Sequence, residues 1–210
     1  MTKRKFLRTS SWACGLLMAG LLVRPMPTSA QSFSGEAVAT QAVVNGTPVV
    51  VADTGSIAAS GDALQASADT TSVAGILTAE ALHAAAVAPG PQTESDSEAS
   101  LAAINLTTLG ASITADLALT RTTATCNAGV PSLGGSTEID NLSINGLSVV
   151  VTGAPNQTIF LPNGQVVINE QTQTQGLSGA TIGVNGMHIT INGIADVVIA
   201  SANSGIGCGS

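Results

Sequence analysis

The sequence predicts an all-β chain: a single antiparallel β-sandwich over residues 31–210, with a jelly-roll strand order as a variant, behind an N-terminal signal peptide at residues 1–30. Three observations lead there. Val, Ile and Thr alternate with Ala, Ser, Asn and Gly in short runs, the period-two texture of strands with one buried face. Asn-Gly occurs five times, at 45–46, 145–146, 163–164, 185–186 and 192–193. This dipeptide favours tight hairpin turns because both residues tolerate positive φ. The stretch from Gln31 onward is also one domain's length and long enough to bury a real core.

The first thirty residues read as an export signal. A basic start (Lys3, Arg4, Lys5, Arg8) precedes an apolar run from Trp12 to Val23, then a short polar stretch with Thr28 and Ala30 at the small positions before a cut. Cleavage is expected after Ala30. The run is shorter than the roughly 20 apolar residues of a membrane span. The basic segment resembles a twin-arginine export signal with Lys in place of the first Arg, and Cys14 precedes too much of the apolar run for a lipoprotein signal. No second apolar segment follows, so no transmembrane segment is expected in the mature chain.

Removing the leader changes the charge balance. Of 6 basic and 13 acidic residues, only Arg121 and all the acids lie beyond Gln31. A body so acidic is a poor match for the phosphate backbone of nucleic acid and for anionic lipid. With Phe33 and Phe160 as its only aromatic residues, it has little material for a stacking platform.

Along the mature chain, Val43-Val44-Asn45-Gly46 leads into Val49-Val50-Val51. The same apolar-Asn-Gly frame returns at Ile144-Asn145-Gly146 and at Val184-Asn185-Gly186, 100 and then 40 positions on. Irregular spacing excludes a solenoid of fixed period and fits a sheet that reuses one hairpin. Residues 76–87 would be helical on propensity alone. Their Thr-Ala-acid core recurs in the Thr-rich segment 112–122, whose alternation is strand-like, so both are read as strands. Between them, residues 88–99 contain Glu94, Asp96 and Glu98 among Pro, Gly and Ser and are expected to form an acidic loop.

Cys126 and Cys208 are the two cysteines left after the leader. In an oxidising compartment a disulfide is their expected fate, and closing a loop of 82 positions is worth roughly 4–5 kcal/mol on the chain-entropy model. A metal pair is the alternative, but it has no adjacent His or Cys, because His83 and His188 each stand alone in the sequence.

Asn145-Gly146 with Val149-Val150-Val151, then the run 161–171 (Leu161-Pro162-Asn163-Gly164 onward), then Ala195-Asp196-Val197-Val198-Ile199 ending near Cys208, resembles bacterial choice-of-anchor P proteins. The resemblance covers most of the mature chain and is strongest between the two cysteines. It implies an exported β-rich surface domain without known enzymatic activity, usually followed by a C-terminal sorting tail; here no such tail is expected after Cys208. It also supports pairing Cys126 with Cys208.

Three candidate chemistries remain. Val49-Val50-Val51-Ala52-Asp53-Thr54-Gly55-Ser56 looks like the strand with which aspartic proteases present a carboxylate. That chemistry needs two carboxylates sharing a proton, so Asp53 would require a second subunit; Asp-Thr-Gly is equally ordinary turn chemistry. No Gly-x-Ser-x-Gly elbow accompanies the histidines. Residues 94–98 lack the loop pattern and turn glycine of a calcium site. Asn169-Glu170-Gln171 ends a strand and reads as an edge or a turn. No catalytic residue, metal site or cofactor is assigned. The expected function is a non-enzymatic exported structural or surface protein, with itself (by strand-edge assembly into fibres or a matrix) or other surface components as partners. An adhesin-like binding module and the dimeric aspartic protease are the alternatives.

Overall fold

The computed structural model describes residues 31–89, 93–108 and 110–209; the expected signal peptide, residues 1–30, lies outside them. Thirteen strands follow one another: β1 (Ser32–Val44), β2 (Thr47–Asp53), β3 (Asp62–Val73), β4 (Leu77–Ala88), β5 (Glu94–Thr108), β6 (Ala111–Asn127), β7 (Val130–Asp140), β8 (Ser143–Ile144), β9 (Leu147–Ser148), β10 (Gln157–Leu161), β11 (Gly164–Gln175), β12 (Gly179–Ile191) and β13 (Ala195–Gly207). No helix occurs among the described residues, and the segment expected over 76–87 is strand from Leu77 on, as its echo indicated, with Ile76 in the turn before it.

Two antiparallel sheets pack face to face, the predicted sandwich. One has the order β10-β11-β12-β13-β1-β2. The other runs β3-β4-β5-β6, with β7 and then β8-β9 along the far side of β6. Strands β1 and β2 lie over β3 to β5, β13 over β5 and β6, and β12 over β6 and β7. The jelly-roll variant is not realised. Tight turns return the chain to the neighbouring strand, so each sheet is a meander. The chain changes sheet only between β2 and β3 and between β9 and β10, and the first strand closes the fold by pairing with the last.

Four of the tight turns carry positive φ at both central residues: Asn45-Gly46, Ala74-Gly75, Ala128-Gly129 and Asn145-Gly146. Ala-Gly thus takes the place of Asn-Gly in two of them, a turn signal that Asn-Gly alone does not capture. Asn192-Gly193 also turns, with positive φ at the glycine only and Ile194 N–H bonded to Ile191 C=O, as in a type II turn. The turn before β11 is Pro162-Asn163, and Gly164 opens the strand. Asn185-Gly186 is no turn at all: it lies inside β12.

The acidic loop expected over 88–99 is shorter than anticipated, because Glu94–Thr108 is strand β5. Glu94, Asp96 and Glu98 line its outer face, while Ser95 and Ser97 point inward and are buried. A strand polar on both faces gives no hydropathy alternation, so it resembled a loop.

Most of the long strands share one irregularity. In β1 the inward residues are 33, 35 and 37, then 40, 42 and 44; in β12 they are 180, 182 and 184, then 187, 189 and 191; in β6 they are 111, 113 and 115, then 118, 120 and 122. The period-two pattern slips by one residue in mid-strand. In the first sheet the slips form a row across neighbours: Asn169, Gly186, Ala200, Ala39 and Ala52, each skipped in a register that is otherwise kept. Alternate members Asn169, Ala200 and Ala52 have φ of 51°, 54° and 52°. In the second sheet Ala81 and Ala103 have φ of 49° and 50° within β4 and β5, Asn141 has 53° just past β7, and the β4–β5 register shifts around Glu80. A left-handed residue turns the following side chains to the opposite face while the ladder continues, so the inward set changes parity in mid-strand without breaking the pairing. At Gly186 a Cβ would come 2.7 Å from Thr120 Oγ1 of the facing sheet, leaving room only for glycine.

The main core holds Leu77, Leu82, Leu101, Ile104, Leu106, Ile113, Ile168, Met187, Ile189 and Ile191. A second, smaller cluster gathers Phe33, Ile57, Ala86, Ala88, Ala124 and Ile206 around the two cysteines. Buried hydroxyls also bridge the two sheets. Ser95 Oγ donates to Ser34 C=O (2.9 Å), Ser97 Oγ to Asn203 C=O (2.6 Å), and Thr122 Oγ1 lies 2.8 Å from Ser204 Oγ. Short side chains let the sheets approach closely enough for side chain to reach facing backbone, which satisfies groups whose burial would otherwise be costly.

Candidate functional site

Cys126, near the end of β6, and Cys208, just past β13, form a disulfide, with their sulfurs 1.96 Å and their Cα atoms 5.8 Å apart. The bond joins the two sheets at one end of the sandwich, so these sequence-assigned residues are brought together. A metal pair is thereby replaced by a covalent link.

Asp53 ends β2. It is exposed, and its Oδ1 accepts the Gly55 N–H at 2.7 Å, an Asx turn in which the carboxylate shapes its own loop. Thr54 Oγ1 accepts from Ala37 N–H, and Ser56 Oγ donates to Glu36. The Asp-Thr-Gly-Ser motif therefore ties the exit of β2 to β1. His83 lies on the outer face of the second sheet, opposite Ser67 and Ser100.

His188 is not isolated, contrary to its appearance in the sequence. Its Nδ1 lies 2.9 Å from Glu170 Oε2 and its Nε2 3.1 Å from Asp196 Oδ1, and Asn185 Nδ2 donates to the same Glu170 oxygen at 2.7 Å. Three adjacent strands, β11, β12 and β13, supply the group. The slip at Gly186 assembles it: Asn185 and His188 are three apart, so in an unbroken strand they would face opposite sides. Burial opposes the imidazolium, but the hydrogen bond and charge of Glu170, followed by those of Asp196, outweigh it and raise the pKa above 6.5. With a carboxylate on each nitrogen, the ring has no free lone pair with which to activate a nucleophile. The carboxylates also lie on opposite sides of the ring, and among the described residues no three His, Cys, Asp or Glu side chains converge to hold a metal ion. The cluster is an ionic clasp across three strands. Its only sequence signal was the closeness of His188 and Asp196 across the Asn192-Gly193 turn.

Beside this clasp, on the same outer face, runs a shallow groove of about 300 Å³ lined by Ser34, Glu36, Ser56, Thr172, Thr174, Thr181 and Asn203. Gly183 leaves its floor low, and Asn203 leans over it. It offers hydroxyls, an amide and one carboxylate. The other outer face is acidic, with Glu80, Asp96, Glu98, Asp116 and Glu138 along its strands, and there Arg121 pairs with Glu98. Comparison with family models, curated proteins and solved structures finds no match.

Proposed function

We propose that this chain is a non-enzymatic structural or surface protein that works outside the inner membrane. The observation that supports this best is the Cys126–Cys208 bond, because reducing compartments keep such thiols apart. The leader-like sequence at residues 1–30 and the resemblance to choice-of-anchor P proteins favour the same reading. So does the engagement of the ionisable groups: His188 is held between two carboxylates, and Asp53 is committed to its own turn. Fractionating a culture and weighing the chain under non-reducing conditions tests the proposal. The expected product begins at Gln31, carries the oxidised pair, and lies in the medium or on the surface. A cytosolic chain that retains its leader and free thiols would refute it.

The polar groove favours a second reading, a binding module for a neutral polyhydroxylated ligand. Replacing Thr181 by Arg fills the groove without touching the core. A glycan array on which the native protein gives no signal, or gives one that Thr181→Arg leaves unchanged, removes that reading.

A further inference from the structure

The sheet edges are not equally protected. Residues flanking a two-residue hairpin turn exchange both backbone hydrogen bonds. Val44 therefore bonds Thr47, and β2 aims the backbone of residue 48 away from β1, where Pro48 has no N–H to offer. By the same rule Asn127 bonds Val130, and β7 aims the backbone of residue 131 away from β6, where Pro131, itself buried, has no N–H to offer. Both strands thus carry the proline that blocks strand addition. Strand β3 bears Asp62 and Asp69, and β10 is 5 residues long.

The far half of β11 has no such device. Strand β10 covers β11 only through Ile168, and Asn156 Oδ1 accepts the Gln171 N–H. From there, Thr172 to Gln175 are exposed and pair with β12 on one side only, with no strand on the other side among the described residues. Gly176 N–H bonds Gly179 C=O, so Thr174 and Thr172 bond β12 while Gln171, Gln173 and Gln175 point their backbone outward. The segment is uncharged, and Gln171-Thr172-Gln173-Thr174-Gln175 reads the same in both directions.

We infer that Gln171–Gln175 is a pairing surface for a second copy of this chain, joined antiparallel across a two-fold axis at Gln173. The palindrome puts Gln173 opposite itself, Thr172 opposite Thr174 and Gln171 opposite Gln175, so every cross-strand pair is between like, neutral, hydrogen-bonding residues. Gln173 exchanges both backbone bonds with its counterpart, and each Gln175 N–H reaches a Gln171 C=O. The bond from Gln171 N–H to Asn156 is left intact. The same register sets Leu177, which is 100% exposed, against the 153–156 loop of the second copy. With β2 and β7 blocked by proline, the assembly closes at two copies instead of running on into a fibre. This inference goes beyond the proposed exterior role and does not depend on it, since fractionation tests that role and sedimentation tests this one.

Sedimentation velocity of the purified protein, as its host processes it, provides the test. A concentration-dependent dimer is expected. Gln173→Lys brings two cations together on the axis, and Gln173→Pro removes the outward N–H while leaving the β12 bonds alone. Both variants should stay monomeric with unchanged circular dichroism. Gln173→Cys should cross-link to itself under oxidising conditions, while Thr158→Cys on the short β10 edge should not. A native protein that is monomeric at every concentration, or a dimer that survives Lys and Pro at 173, overturns the pairing. Should those two variants unfold, failure of Gln173→Cys to cross-link overturns it equally.

Discussion

Single residues carry two unusual costs in this fold, and both give measurable predictions. Ala81 has φ of 49° in mid-strand and is exposed, a conformation that disfavours a Cβ by about 1 kcal/mol and that Asn tolerates better. Ala81→Asn should therefore raise stability by roughly 0.5–1 kcal/mol, and Ala81→Val should lower it by about 1–3 kcal/mol; urea titration at constant m-value reads both. His188 provides the second case. Its folded pKa lies above 6.5, so its contribution is complete below the unfolded pKa and is lost as pH rises through the folded value. Native stability should fall relative to His188→Gln between mildly acidic and alkaline pH, and Glu170→Gln should remove most of that slope. A difference independent of pH would show that the clasp contributes packing alone. The sequence concealed this site because its members lie on three strands and Glu170 sits beside Asn169, whose left-handed φ breaks the alternation in mid-strand.

Among the elements, short period-two stretches were legible and their continuity was not. Thr114, Leu117 and Thr120 in β6 straddle the slip at Asp116, so alternation counted along the whole strand loses phase halfway. In β5 the acids hid a strand because its inward residues are Ser95 and Ser97 rather than aliphatics. Asn-Gly at 185–186 was misread for a related reason: the dipeptide marks positive φ or close approach, and at Gly186 the need is close approach to Thr120. The hydroxyl layer predicts how β5 is held. Ser97→Ala should cost about 1 kcal/mol by leaving the Asn203 carbonyl short of a donor. Ser97→Val, which adds volume where the sheets nearly touch, should cost about 1–3 kcal/mol. If Val proved the milder change in thermal unfolding, hydrogen bonding would not be what sets the spacing of the sheets.

For the whole molecule, the arrangement of the two clusters determines what the disulfide does. The large aliphatic side chains are concentrated in the main core, and the cysteine end holds alanines, one Phe and two Ile. Apolar burial contributes per unit area, so that end has the weaker grip between sheets. It is also where the first strand meets the last, at Ser32 and Gly207, a pairing of the longest sequence separation and thus the one whose closure entropy is greatest. The cross-link from β6 to the residue after β13 therefore fixes the joint that the core holds least. Replacing both cysteines by Ser should cost about 2–5 kcal/mol, and the loss should be uneven. Hydrogen exchange should accelerate first at Phe33, Ala124 and Ile206, while Leu101 and Ile189 keep their protection until global unfolding. Equal acceleration at all five would mean that the bond acts only on the unfolded chain and that the two clusters behave as a single cooperative core.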